Sequence, residues 1–321
     1  MSANKDISIG LAGARGYVGR ELLVLLEKHP RFRVDHLGSR QLEGKSLSDL
    51  IEGGRADIRF EALRENDMKD RQADAWILAL PNGLAAPWVD AINTHAADTV
   101  ILDLSGDHRF DDNWHYGLPE IDSEAPEGDP KRISNPGCYA TAMQLALYPM
   151  YGRIKGTPRC FGVSGYSGAG TTPSDKNDPA VLKDNILAYA PVNHLHEREV
   201  TRHMDQQVHF MPHVASFFRG LLMTVDMELA KPMTAAEVLT LFRQSYSFEP
   251  LVHVQPDTPD MRDVRDQHHA VLGGFAVNEA GDRLVAYAAL DNLLKGAATQ
   301  AVQNLNIAFD LDPMTGIPQN I

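Results

Sequence analysis

The sequence predicts an α/β chain of two domains, and three observations carry that expectation. Close to the N-terminus, DISIGLAGARGYVGRELLVLLEKHP runs from a short apolar strand through a glycine-rich turn into an amphipathic helix. Continuous apolar runs ending in Pro, Gly or Asn follow at 74–83 and 99–110, the pattern of parallel strands buried on both faces. After the 140s the pattern changes to alternating strand-like runs, which suit a second, mixed or antiparallel sheet with its own helices. At 321 residues the chain is long enough to bury both cores.

Taken in order, the first unit places glycines at 10, 13, 16 and 19 between strand and helix, with Val18, Leu22, Leu25 and Leu26 on one helical stripe. Glycines at such a turn let the backbone approach a pyrophosphate, whose charge the helix N-terminus stabilises, so this βα unit predicts dinucleotide binding. The next strand, FRVDHLGSR, ends in Ser39 and Arg40. An acidic residue at that place meets a free ribose 2′-hydroxyl, whereas an arginine suits a 2′-phosphate, so the cofactor expected is NADP(H). Ligands of such sheets bind beyond the carboxyl ends of the strands, which puts LPNG (80–83) and SGDHR (105–109) on a crevice and makes Arg109 an anion-binding candidate. KRISNPGC brings Cys138 to the same rim.

In SNPGCYATAMQLALYP, Ala142, Met143, Leu145, Ala146 and Leu147 predict a buried helix that starts just after Cys138 and stops at Pro149. The runs PRCFGVSGYSGAG, VHFMPHVASFFRGLLMTVDMEL, PLVHVQP and AVLGGFAVNEAGDRLVAYAAL follow as strands, with TAAEVLTLFRQSY as a helix. TTPSDKNDP (171–179) reads as a polar loop, either a lid or plain surface. A last helix over 291–309 carries Leu294, Ala297, Ala298, Ala301, Val302 and Leu305 on one face. The domains expected are a Rossmann-like cofactor domain over 1–137, completed by 291–321, and an α+β catalytic and oligomerisation domain over 138–290 whose sheet is mixed and largely antiparallel.

Composition narrows the function. The formal charge of −13 argues against nucleic acid or an anionic membrane surface as partner. It also requires that any anionic ligand meet arginines or helix N-termini that reverse the field locally. Hydrophobic residues at 43% and charged ones at 23% describe an ordinary soluble globular protein. The sequence has no 18-residue apolar run, and MSANKDISIG enters a strand pattern at once, so neither a membrane span nor a leader is expected and the cytoplasm is the default compartment. Two cysteines form neither a secreted disulfide framework nor a zinc site, and HEREV lacks the second histidine of HExxH, so no metal is expected.

A free cysteine is most often a small buried hydrophobe. Cys138, however, sits at a helix start, where unpaired N–H groups and the positive end of the dipole favour thiolate. A thiolate beside a dinucleotide crevice suggests a reaction in which sulfur forms a thioester with an acyl carbon and nicotinamide exchanges hydride. Such chemistry needs an acid or base near sulfur, and APVNHLHEREV offers His194 and His196 on a loop leading into a helix from about Glu197. With 13 histidines in the chain, either one taken singly competes with chance.

At these residues the chain resembles the N-acetyl-gamma-glutamyl-phosphate reductases. ISNPGCYATAMQLALYP is similar to their cysteine signature, GLAGARGYVGREL to their cofactor loop, and DLSGDHRF to their substrate-side arginine segment. SGYSGAG resembles their serine-glycine loop and FMPHVASFFRG their PH…RG stretch, so the likeness spans the whole chain. Two departures, HLHEREV for the usual HRHxPEI and the continuation into TTPSDKNDP, look like the branch found in fungal kinase–reductase fusions. The resemblance implies NADPH-dependent reduction of N-acetylglutamyl phosphate to the semialdehyde, with release of phosphate, in arginine biosynthesis. It implies Cys138 as nucleophile, His196 as acid/base, and Arg109, His194 and Arg219 as holders of the substrate's anionic groups. For the cofactor it implies Gly13, Arg15, Gly16, Tyr17, Val18, Ser39, Arg40, Pro81, Ser164, Gly165 and Asn292. A homodimer or homotetramer is expected. The rival activities are an aspartate-semialdehyde dehydrogenase or an aminoadipate-type acyl-phosphate reductase and, from another class, an NADPH- or redox-sensing regulator.

Overall fold

The computed structural model describes residues 6–121 and 128–319. Residues 1–5, on which the expectation of a missing leader partly rests, lie outside the described residues. The chain forms two compact units, one running to Pro136 and resuming over Ala297–Gln319, the other covering Gly137–Gly296.

The first unit contains β1 (Ile7–Ala12), α1 (Tyr17–Glu27), β2 (Phe32–Gly38), β3 (Phe60–Glu61), β4 (Ala75–Leu78), α2 (Ala86–His95), β5 (Val100–Asp103), β6 (Trp114–Tyr116) and β7 (Asp129–Ser134). Its strands make one sheet in the order β3-β2-β1-β4-β5-β7-β6, every neighbouring pair parallel. All four residues of β4 and all four of β5 are buried, which is why they read as unbroken apolar runs. Both strands are shorter than those runs, because the chain turns off the sheet after Leu78 and Asp103. Helix α1 buries Leu22, Leu23, Leu25 and Leu26, whereas Val18, expected on that stripe, lies half-buried at its edge. Trp76 fills the core so closely against β1 that a Cβ on Gly10 would lie 2.5 Å from its ring.

The second unit contains α3 (Cys138–Leu147), β8 (Ile154–Gly165), α4 (Pro179–Leu182), β9 (Ile186–Ala188), α5 (Leu195–His203), β10 (His209–Ala215), β11 (Leu221–Leu229), α6 (Ala235–Ser245), β12 (Val252–Val254), α7 (Met261–Val264), β13 (Ala270–Val277) and β14 (Arg283–Leu290). The sheet order is β12-β13-β14-β11-β8-β10-β9. Only β12/β13 and β8/β10 pair in parallel, so the sheet is mixed and largely antiparallel, as the sequence predicts. Helix α3 packs on β11 and β14 and against α5, and nine of its residues, Tyr139 to Leu147, are buried. Fully burying Met143, Leu145 and Leu147 contributes about 2 kcal/mol each, which anchors the helix that begins at Cys138. Helix α6 starts at a capping box, Thr234 with Glu237, and packs on β12 and β13.

The chain returns to the first unit at Ala297 rather than at 291. The sequence read 291–309 as one helix, but residues 294–298 form a wider π turn, and only Thr299–Ala308 is α-helical (α8). Asp291 and Asn292 stay behind because their side chains are bonded to Arg219 and Gly220 of the second unit. Besides burying the predicted Ala301, Val302 and Leu305, α8 buries polar side chains that are paired. Asn304 donates to the Gly117 carbonyl at 2.9 Å and to Asn135 Oδ1 at 3.1 Å, and Gln303 donates to Glu120 at 3.0 Å.

Candidate active site

The glycine turn of the first unit is built for close backbone approach. Gly13 has φ +86°, and a Cβ there would lie 2.1 Å from the Ala79 carbonyl oxygen beyond β4, so only glycine fits. Gly16 is the N-cap of α1 and offers no capping side chain, and the first turn carries no acid. A Cβ at Gly16 would meet nothing nearer than the Gly13 carbonyl at 3.7 Å. An uncapped, acid-free helix start with open space above its cap fits a pyrophosphate. Arg15 is exposed beside it, and Tyr17 and Val18 are half-buried. Ser39 and Arg40 follow β2, Arg40 exposed, while the Ser39 N–H donates to the Glu61 carbonyl at 2.8 Å. Pro81 is exposed after β4.

The run expected as a strand over 99–110 breaks after Asp103 for a side-chain reason. The fully buried Asp103 carboxylate accepts the Ser105 N–H at 2.9 Å and the Ser105 hydroxyl at 2.8 Å, and lies 2.6 Å from His108 Nδ1. The His108 ring stacks on Trp114 at 3.9 Å. Asp107 then accepts the N–H groups of Gly83 and Ala85, which ties the LPNG turn to the SGDHR turn. Arg109 is only 6% exposed, and its Nε and Nη2 donate to the Asn135 and Leu104 carbonyls, both at 2.9 Å. These carbonyl partners orient the guanidinium.

In the second unit Cys138 is itself the first residue of α3, where the sequence predicts a start just after it, and it is half-exposed and in no disulfide. Gly137 caps the helix without a side chain, no acid occupies the first turn, and the Gly137 N–H donates to Oε1 of the fully buried Glu199 at 2.9 Å. Glu199 belongs to α5, the helix that carries the histidines, so this one bond links the cysteine turn to the histidine helix. Tyr139 donates its hydroxyl to the His213 carbonyl at 2.6 Å. Its ring lies 6.5 Å from His194 and 6.0 Å from His196, and the two imidazoles are 4.9 Å apart.

Helix α5 starts at Leu195, not near Glu197, because His194 itself is the N-cap, its Nδ1 accepting the His196 N–H at 3.1 Å. A histidine cap is outside the Ser/Thr/Asp/Asn signal by which sequence locates helix starts. Burial first, then the Lys176 charge, depresses His194 to about 4. His269, stacked on His253 at 4.0 Å, is likewise depressed to about 4, chiefly by burial. Both groups start from 6.5 when unfolded, so the unfolded chain binds the extra protons. Their contribution to stability is complete above pH 6.5 and is lost as the pH falls towards 4. The melting temperature is therefore expected to fall over that window, less steeply in a His194→Gln/His269→Gln protein; an identical acid slope would refute the assignment.

The other cysteine provides a contrast. Cys160 on β8 is fully buried, and burial pushes its thiol up, away from thiolate. Iodoacetamide is expected to label one thiol per native chain, and Cys138→Ala is expected to remove that label. Labelling of Cys160 in the native protein would contradict the burial argument.

Two further groups of expected site residues have protein partners of their own. Arg219 is ion-paired twice, its Nε 2.7 Å from the fully buried Asp291 and its Nη1 2.8 Å from Asp266. Ser164, Gly165 and Asn292 brace one another's loops. Asn292 accepts the Gly220 N–H at 2.8 Å and donates to Ser167 Oγ at 2.9 Å, the Gly165 N–H donates to the Gly220 carbonyl at 2.9 Å, and Ser164 donates to the Gly165 carbonyl at 3.1 Å.

Three residues that sequence reasoning did not single out join the cluster. Tyr189 lies 5.6 Å from His194, and burial raises the phenols of both Tyr139 and Tyr189. The Lys176 ammonium stands 4.8 Å over the Tyr189 ring. Glu199 is the third, and its only sequence signal is its place five residues after His194 in a helix rich in charge. Among the described residues no group of His, Cys, Asp and Glu is arranged to hold a metal ion.

Comparison with known proteins agrees with this division of the chain. The family profile "Semialdehyde dehydrogenase, NAD binding domain" matches residues 8–128, and "Semialdehyde dehydrogenase, dimerisation domain" matches 138–292. The chain is 49% identical to an N-acetyl-gamma-glutamyl-phosphate reductase of Stenotrophomonas maltophilia (strain R551-3), over 98% of this chain and 99% of that protein. It is 48% identical to the protein of that name from Xylella fastidiosa (strain 9a5c), over 97% of this chain and 93% of the relative. Among solved structures, aspartate semialdehyde dehydrogenase II of Vibrio cholerae complexed with ASA superposes with a TM-score of 0.76 at 20% identity, over 95% of this chain and 99% of that one. Aspartate semialdehyde dehydrogenase with NADP from Candida albicans gives 0.71 at 17% identity, over 95% and 99%. At such identities the solved structures share the fold.

Proposed function

Because the chain belongs to the semialdehyde dehydrogenase family, with N-acetyl-gamma-glutamyl-phosphate reductases 49% identical over almost its full length, we propose that it reduces N-acetyl-L-glutamyl 5-phosphate to the 5-semialdehyde with NADPH, in arginine biosynthesis. The observation that carries this reading is Cys138 on the first turn of α3, next to the ring that both histidines face.

The residues of the first unit suit the cofactor. The Gly13–Val18 turn and the start of α1 would hold the pyrophosphate, Ser39 and Arg40 the 2′-phosphate, and Arg15 and Pro81 the rim. When bound, NADPH supplies the hydride that reduces the acyl carbon. If Arg40 reads the 2′-phosphate, Arg40→Asp should shift the NADPH/NADH preference towards NADH by about tenfold or more. An unchanged ratio would remove Arg40 from that role.

The chain's own residues supply the remaining chemistry. The dipole of α3 favours the Cys138 thiolate, which attacks the acyl carbon. The S–C bond forms, the C–O bond to the phosphoryl group breaks, and the electron pair leaves on phosphate. His196 donates a proton to the oxygen of that carbon and takes it back as the C=O bond re-forms, the S–C bond breaking so that sulfur departs as thiolate. His194 is the weaker choice of acid, since a group depressed to about 4 is neutral at working pH and its Nδ1 already accepts the His196 N–H. Arg109, aimed by two carbonyls, is the first unit's anion-binding residue.

The decisive assay follows NADPH oxidation with N-acetylglutamyl phosphate and with aspartyl phosphate. Turnover of the first alone supports the reading, while preference for aspartyl phosphate keeps the mechanism and overturns the substrate.

The sheet face turned away from α3 presents Phe161, 42% exposed, together with Val163, Thr224 and Tyr287, all three half-buried. A second copy of the chain is the occupant we assign to it, and Phe161→Asp should shift the mass in solution to that of a monomer. Cytoplasm is the compartment this reading implies, because Cys138 must remain a reduced thiol.

A further inference from the structure

We propose that Lys176, on the 171–178 turn, is a phosphoryl-binding residue whose ammonium takes the oxygens of the departing phosphate. The inference rests on the reductase reading above and adds a subsite to it.

The turn is held by its own hydrogen bonds. Asn177 accepts the Ser174 N–H at 2.9 Å and donates to the Gly170 and Thr172 carbonyls at 2.9 and 2.8 Å, and Asp178 caps α4 through the Ala180 N–H at 2.8 Å. Lys176 is thereby carried on a defined backbone to its place 4.8 Å over Tyr189. Tyr189 belongs to the cluster around the reacting group, because the His194 ring it faces lies 6.5 Å from the ring of Tyr139, the residue after Cys138. Tyr189 also faces His194 at 5.6 Å, and His194 feels the Lys176 charge.

Charge balance selects the ligand. The whole chain carries −13, and a phosphoryl group brings close to two more negative charges. Arg219, the cation the sequence offered for this task in the second unit, is held by Asp266 and Asp291. Among the described residues no carboxylate pairs with Lys176. Its contact with the Tyr189 ring is a weak one that an anion displaces. As the S–C bond forms and the C–O bond breaks, negative charge accumulates on the phosphate, and an ammonium placed there is worth more in the transition state than in the ground state.

The reverse reaction of the full chain, with semialdehyde, inorganic phosphate and NADP, isolates the subsite. Lys176→Ala should raise the KM for phosphate roughly tenfold or more while leaving the KM for semialdehyde and the affinity for NADP near wild type, and Lys176→Arg should restore most of the loss. A phosphate KM within about twofold of wild type, or a rise in the semialdehyde KM in its place, overturns the assignment. So does a wild-type chain inactive with phosphate and semialdehyde, in which case the reductase reading has failed and the subsite falls with it. Wild-type activity with an indifferent Lys176→Ala overturns the subsite alone.

Discussion

Cys138→Ala is expected to lower turnover by roughly four orders of magnitude or more, with NADPH still bound, because the cofactor turn lies in the other unit. Cys138→Ser should be nearly as inactive, since a hydroxyl at a helix start gains far less nucleophile character than a thiol. Paired measurements of initial rate and NADPH affinity give the test. A variant that keeps even a tenth of the rate would show that sulfur is not the nucleophile. A variant that loses NADPH binding as well would show a failure of folding, which a melting curve identifies.

The second large effect concerns Gly13. An alanine there must adopt φ +86° and place its Cβ 2.1 Å from a backbone carbonyl that cannot move without shifting β4. Left-handed strain and overpacking each cost about 1–3 kcal/mol, so Gly13→Ala should lower the denaturant midpoint clearly and abolish NADPH binding. Gly16→Ala is the control: its Cβ enters open space, so stability should hold while affinity falls if the pyrophosphate lies against that cap. A Gly13→Ala protein with wild-type midpoint and affinity would refute the close-approach account.

What sequence revealed, and what it missed, follows from the range of the interactions. The start of α3 was legible because its signals are local, Pro-Gly before the cysteine and a dense apolar run after it. The parallel and mixed sheets were legible from apolar runs and alternation. The end of β5 was not, since the chain turns where the Asp103 carboxylate binds Ser105 and His108, a side-chain contact that the run over 99–110 does not announce. The start of α5 was misplaced because a histidine caps it. The ion pairs of Arg219 were not legible, because its partners, Asp266 and Asp291, lie far along the chain. Lys176 and Tyr189 carried no local signal, because a cation over a ring is visible only once the chain has folded.

The first unit is assembled from two stretches of chain with the whole second unit inserted between them. Helix α8, from the late stretch, supplies the amides that close on Gly117, Glu120 and Asn135. During synthesis the ribosome therefore delivers the cofactor sheet first but its last buried helix at the end. The second unit is complete at Gly296, before α8 of the first unit has been made, so the later-started unit is free to finish folding first. Until α8 emerges, the waiting sheet exposes apolar surface that a nascent-chain chaperone would be expected to cover.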